Sequence, residues 1–469
     1  MKICEFAAIV SLQPGQLQPP TIIRGILNYL TASNSSNLRS EARTETMLYT
    51  LVFLLLAANG SAPSYGFSPG RRGMTRPRSI STSHADSRFS IKNSIREKKS
   101  HSPPQAETQR RVLRIEKFAR LPVWPVWQGV FLFVASKIFG EEVAAGWEDR
   151  IGGRVAPNFF VAQATSPFVL LVHHRHSFSN WDPIRYIQRT FFPEGFPSHP
   201  HRGFITVTYC LKGGMVHRDS LGIKQSYGAE KRHRSKHVQW LTAGAGIQHE
   251  EMWDIEPDGQ DEGKWLWSSS QELYQLWVNM PSDKKMSKPN AELLEACLVS
   301  SPSSEIPDNA TPIIVFENTI TTVIAGEHNG IRAPIDCPTN VAIMRVQLLQ
   351  NKSWTHNVPS SHETAIIYVR KGSIQVGTQR VPPHYTAYLT SQGGELSIQS
   401  LDGGADILLL SGEPLREPIA SQGSMVMNTN AEIQQAYVDY QLGKMGLPWS
   451  EKLSDDEWLQ HIKTNPSVY

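Results

Sequence analysis

Three imidazoles and a carboxylate stand in two short alternating pairs, His199-Pro200-His201 and, further along, His249-Glu250-Glu251. In a β-strand, residues i and i+2 point to the same face, so each pair can address one ion, and two neighbouring strands complete the donor set. Imidazole with carboxylate suits Fe(II), Mn, Ni, Cu or Zn, and leaves positions open on an octahedral metal for substrate, dioxygen or water. A lone H-x-H beside proline is equally well an exposed turn. Here the flanks point to strand edges. Gly203 to Leu211 is rich in β-branched and aromatic residues and stops at Lys212-Gly213-Gly214, while the run from Val238 enters the glycine-rich bend Ala243 to Gly246. Ligand residues at strand edges beside tight turns are what a small β-barrel with a metal in its mouth requires.

The elements that must carry these residues are strands. From Gly203 onward short apolar runs alternate with Gly, Pro and Asn turns, an all-β pattern. The second half repeats it in the runs Val341 to Leu349, Thr364 to Arg370, Gly372 to Gly377, Tyr385 to Leu389 and Ala405 to Leu410. His356, His362 and His384 occur there singly, without an H-x-H or H-x-E partner. They are therefore expected to be surface or loop groups, in a barrel without a metal. Asn430 to Gly443 places apolar residues at helical spacing and ends at glycine, which predicts a C-terminal helix.

The stretches PEGFPSHPHRGFITVTY (193–209), GGMVHRDSLG (213–222), VQWLTAGAGIQHEEM (238–252) and YQLWVNMP (274–281) together resemble the pirins, a bicupin family that binds iron in its N-terminal barrel. The resemblance covers residues 151 to 440. It implies an all-β fold of two cupin-type β-barrels in tandem, over 151–295 and 296–429, followed by a helical tail over 430–469. It implies the ligands His199, His201, His249 and Glu251, the same four that spacing singles out, with Fe(II) as cofactor, and the pocket neighbours Phe196, Arg202, Met215 and Gln275. Arg202, the one cation near the ligands, suits either substrate contact or an ion pair bracing the barrel. Some pirins resemble quercetin 2,3-dioxygenases, which implies dioxygen and a small aromatic or enediol-like substrate, with Glu251 as the catalytic group that accepts the flavonol hydroxyl proton. Other pirins are iron-dependent nuclear cofactors, so a redox-sensing regulator that meets a protein partner is the rival class. Fold does not decide between them. The chain departs from the family between Gly222 and Val238, where IKQSYGAEKRHRSKH is longer and more basic than the family's loop. His233 and His237 lie there among Lys and Arg whose charge opposes a cation, so they are excluded as ligands and placed in a solvated loop or lid.

A chain of 469 residues exceeds a single core, and a net charge of +3 argues neither for nor against nucleic acid, of which no direct binding is expected. Between Arg71 and Arg111 eleven Lys and Arg stand against three acids, with almost no large aliphatic residues. Such a segment cannot bury enough apolar surface to fold, so 63–111 reads as a disordered, transit-like lead. Ahead of it, the apolar run Met47 to Ala58 closed by Asn59-Gly60-Ser61-Ala62 reads as a signal peptide over 47–62, with 1–46 as translated upstream sequence. The expected address is an organelle such as a plastid, with the cytoplasm and nucleus as the alternative. Residues 112–150 read as a linker in which Leu121 to Gly140 forms an apolar helix packed on the barrels, too short an apolar run to span a membrane. Cys4, Cys210, Cys297 and Cys337 show no paired spacing and are expected to be free thiols.

Overall fold

The computed structural model describes residues 109–448 apart from 124–126, 180–181, 191–192, 230–232, 234 and 256–267, together with 454, 456, 457 and 460. The expected signal peptide and upstream extension, and nearly all of the expected transit-like segment, lie outside the described residues. Two tandem β-barrels of cupin type make up most of what remains, joined by a sixteen-stranded sheet that runs through both.

In the first barrel, Phe168–Ser179 pairs with Ser268–Asn279, which continues through Phe204–Lys212 and Lys236–Thr242 to Asn290–Val299. A separate four-stranded sheet is ordered Gly195–His201, Ile247–Trp253, Gly214–Asp219, Lys224–Gly228. The two sheets meet through Phe178, Cys210 and Leu273 on one side and Met215, Tyr227 and Trp253 on the other. Burying these faces supplies most of the driving force for closure. The second barrel pairs Val341–Leu348 and Thr364–Val376 with Glu395–Gly412, and its interior is filled by aliphatic side chains such as Met344, Ile367, Val369 and Leu409.

Several elements differ from the sequence reading. The linker begins with a strand, Val112–Lys117, that pairs with Tyr385–Leu389 of the second barrel. The residues just before it are ordered too, since the buried Arg110 guanidinium donates to the carbonyls of Thr390, Gly393 and His362. The apolar segment forms a helix over Trp127–Phe139, followed by a second helix, Glu141–Ile151, against which it packs. Among the described residues no helix is long and apolar enough to cross a membrane. The expected boundary at 295/296 falls inside the strand Asn290–Val299, which pairs with both Lys236–Thr242 and Ala310–Phe316. His356, His362 and His384 are buried, 5 %, 2 % and 6 % exposed, and are not surface groups. His356 faces His328 at 3.2 Å, while His362 hydrogen-bonds Ser411 and Asn340. His233 and His237 are buried as well, bonded to Asp254 and Thr311, while Lys224, Ser226, Ala229 and Ser235 of the same segment are exposed. Cys210, Cys297 and Cys337 are free thiols.

The predicted C-terminal helix spans Asn430–Gln441 and opens with a reciprocal capping box between Thr429 and Glu432. The segment leading into it returns to the first barrel. Val426 N–H donates to Arg202 O, and the buried Lys285 ammonium ties Gly203 O to Val426 O. Gly203 sits at φ +83°, and a Cβ there would meet Val426 O at 2.1 Å, so only glycine permits this approach.

Candidate metal centre

His199 and His201 lie on Gly195–His201, and His249 and Glu251 lie on the adjacent Ile247–Trp253. The antiparallel register sets His249 opposite His199 and Ile247 opposite His201. An irregularity then shifts the register, so that Glu251 stands opposite Phe196. Among the described residues, His199, His201 and His249 are the one group of three whose ligand atoms converge, all within 4.8 Å. His199 Nε2 lies 3.0 Å from His201 Nε2 and 3.1 Å from His249 Nε2.

The outer nitrogens decide what these short contacts mean. His199 Nδ1–H donates to Pro197 O at 2.8 Å, and His201 Nδ1–H donates to Ser424 O at 3.4 Å. With its single proton at Nδ1, each neutral ring presents a bare Nε2. Two lone pairs then face each other with no hydrogen between them, an arrangement that repels unless a cation sits at the convergence. Bonds of about 2.1 Å at right angles put neighbouring donors ~3.0 Å apart, so the spacing fits one face of an octahedral transition-metal ion. Burial, reinforced by mutual proximity, pushes the His201 and His249 pKa values well below the ordinary imidazole range. Burial also lowers His199, which keeps all three rings in the neutral, ligating form.

Glu251 is 1 % exposed and lies outside that converging group, although its charge acts on His199. Its Oε1 accepts from Tyr227 Oη at 2.8 Å and Thr208 Oγ1 at 3.2 Å, and its Oε2 accepts from Gln275 Nε2 at 2.9 Å. Burial, with Glu251 beside it, raises the Tyr227 pKa well above its usual range, so the phenol remains a donor. Gln275 thus touches the carboxylate. Phe196 packs on the rings of His174 and Trp253, and Met215 is fully buried across from Trp253. Arg202 has the bracing role. Its Nε donates to Ala245 O at 2.6 Å and its Nη1 to Asp439 Oδ2 at 2.8 Å, on the C-terminal helix.

Sequence reasoning passed over four further groups. Tyr227 and Thr208 reach Glu251 from other strands. His217 and Asp219 stand behind His249, with His217 Nδ1 3.4 Å from His249 Nδ1 and His217 Nε2 2.9 Å from Asp219 Oδ2. His217-Arg218-Asp219 carries the same i, i+2 spacing as the ligand pairs, and that signal could have found them.

Residues 153–278 match the family model described as Pirin, and 343–446 match that of the Pirin C-terminal cupin domain. The chain is 34 % identical over 277 residues to Pirin of Homo sapiens, covering 56 % of this chain and 83 % of that one. It is 33 % identical over 286 residues to Pirin-1 of Arabidopsis thaliana, covering 60 % and 83 %. Among solved structures, quercetin 2,3-dioxygenase from Acinetobacter baumannii superposes with a TM-score of 0.54 at 27 % identity, covering 72 % of this chain and 99 % of that one.

Proposed function

Because the chain belongs to the pirin family, we propose that it is a metal-dependent oxidoreductase of the quercetin 2,3-dioxygenase type, holding Fe(II) through His199, His201, His249 and Glu251. The observation that carries this reading is the convergence of bare imidazole nitrogens, 3.0 and 3.1 Å apart, beside a buried carboxylate. The likeness to a quercetin 2,3-dioxygenase supports the substrate class, a small aromatic enol or enediol, with dioxygen as the second substrate.

When bound, the ion lends Lewis acidity and one-electron redox chemistry to that pair of substrates. The protein's own groups do the rest. Glu251 Oε1 is occupied by two hydroxyl donors and Oε2 by one amide, so a single lone pair on Oε2 remains, which serves either the ion or, when the ion leaves it, the substrate's hydroxyl proton. Tyr227, Thr208 and Gln275 fix the plane of that carboxylate. Phe196, opposite Glu251 in the strand register, and Tyr227, bonded to it, belong to an apolar cluster with Met215, Trp253 and Leu273 that excludes water on this side and strengthens charge interactions there. The apolar run from Met47 and the basic stretch behind it support delivery to an organelle, which a fluorescent fusion of residues 47–111 tests.

Oxygen uptake by Fe(II)-loaded protein, measured against flavonols and other enediol-like compounds, tests the activity. Uptake matched by loss of the flavonol absorbance is expected. Metal-loaded protein that consumes no oxygen with any of them would remove the enzymatic reading and leave redox sensing as the role of the centre.

A further inference from the structure

We propose that Asp219 and His217 form a proton-setting pair that holds His249 in its ligating tautomer, an inference that rests on the metal-binding part of the reading above. The strand Gly214–Asp219 pairs with Ile247–Trp253 so that His249 stands opposite Asp219 and Glu251 opposite His217. Both members of the pair are buried, His217 at 0 % and Asp219 at 1 % exposure.

The chain of hydrogen bonds has one consistent direction. An ionised carboxylate only accepts, so the His217 proton sits on Nε2, 2.9 Å from Asp219 Oδ2. That leaves His217 Nδ1 bare, and it accepts the Nδ1–H of His249 at 3.4 Å. The His249 Nε2 is then bare where it meets His199. His199 and His201 have their tautomers set by the backbone carbonyls of Pro197 and Ser424. Among the described residues His249 has no such carbonyl partner, and a side-chain pair stands in for it. The far end of the pair is firmly held, because Asp219 Oδ1 accepts the backbone N–H groups of Leu221 and Ile223 at 2.9 and 3.0 Å. A carboxylate behind the intervening imidazole also makes His249 a stronger donor to a cation, the usual effect of such partners. His217 and Asp219 are positioning residues, since they act through His249.

Asp219→Asn tests the direction of the chain. The amide oxygen can still hold Leu221 and Ile223, but its NH2 now faces His217 Nε2 and requires that nitrogen to be bare. The His217 proton moves to Nδ1 and confronts the Nδ1–H of His249, which must send its own proton to Nε2, where it blocks ligation. Co(II) affinity, followed by visible absorption on the full chain, should fall about 10–100-fold, the usual cost of losing such a partner. In His217→Gln the side-chain oxygen can accept from His249 Nδ1–H directly, so adding Asp219→Asn to that background should cost little. An Asp219→Asn protein that binds Co(II) like wild type overturns the proposal. So does an equal penalty in the His217→Gln background, because it would make Asp219 only the support of its turn. Wild-type protein that takes up no Co(II) would overturn the metal reading itself, and this proposal with it.

Discussion

At the scale of single residues, the centre depends on where protons already sit. The ring nitrogens that face away from the convergence are each occupied, by Pro197 O, Ser424 O and His217, and the inner ones are free to ligate. Glu251 differs from them in being both a proposed ligand and a candidate base. Glu251→Gln keeps the volume and an oxygen donor while removing the charge and the basic site. The variant should still hold some metal and lose flavonol turnover on the order of 100-fold or more, the size expected when a general base is removed. Turnover near the wild-type value would leave the carboxylate a structural ligand only. The convergence of His199, His201 and His249 was legible in the sequence because His199 and His201 are contiguous in strand register and His249 opens a second such pair. Tyr227 and Thr208 were not, because they meet Glu251 only through pairing between strands distant along the chain.

At the scale of elements, the metal-binding strands are buttressed from the C-terminus. Ser424 O meets His201, Asp439 holds Arg202, and the carbonyls of Met445 and Gly446 accept from Ser220 and Gln248. Burial would raise the Asp439 pKa, but hydrogen bonds from Arg202, Gln435 and Lys444 hold it down at about 2, so the pair is ionic. Asp439→Asn should therefore lower stability by roughly 1–3 kcal/mol in urea unfolding. Metal content and the KM for a flavonol should not change. A raised KM without loss of stability would return Arg202 to the substrate. The strand Val112–Lys117 escaped sequence reading for a local reason. A register shift between Val112 and Arg114 lets Val112 and Ile115 both pack on the second barrel, which breaks the alternation that betrays a strand.

At the scale of the whole molecule, the first barrel's strand Phe168–Ser179 is buried on both faces. His174, His176 and Phe178 pack with Phe196 and Trp253. His173 and Arg175 instead bond Glu272, which Arg370 of the second barrel also clasps. Burial alone would raise the Glu272 pKa, yet His173 and Arg370 hold it far below the usual carboxylate range. Glu272→Gln removes the charge that two buried guanidiniums share, leaving Arg370 with Asp406 and Arg175 with the more distant Glu148, and should cost about 3 kcal/mol in urea unfolding, whereas a loss within about 0.5 kcal/mol would show that the network tolerates neutralisation. The two barrels were legible from their strand runs. This network and the burial of the second-barrel histidines were not, because they depend on which face of each strand meets the other barrel. The buried histidines also set the response to acid. Burial lowers His174 and His237 to about 4, while an unfolded imidazole titrates near 6.5. Between those values the unfolded chain binds protons that the folded one refuses. The stability is therefore full above pH ~6.5 and falls as pH drops toward ~4, on the order of 1–2 kcal/mol per group by pH 5. The urea midpoint of chelator-treated protein should be lower at pH 5 than at pH 7, and an equal or higher midpoint at pH 5 would contradict that burial.

Metal analysis after dialysis against a weak chelator probes the centre most directly. Wild-type protein should retain one transition-metal ion per chain, and His249→Ala, which removes one of three converging nitrogens, should retain almost none while still folding. Full occupancy in the dialysed His249→Ala protein would contradict the assignment of His199, His201, His249 and Glu251 as the metal-binding set.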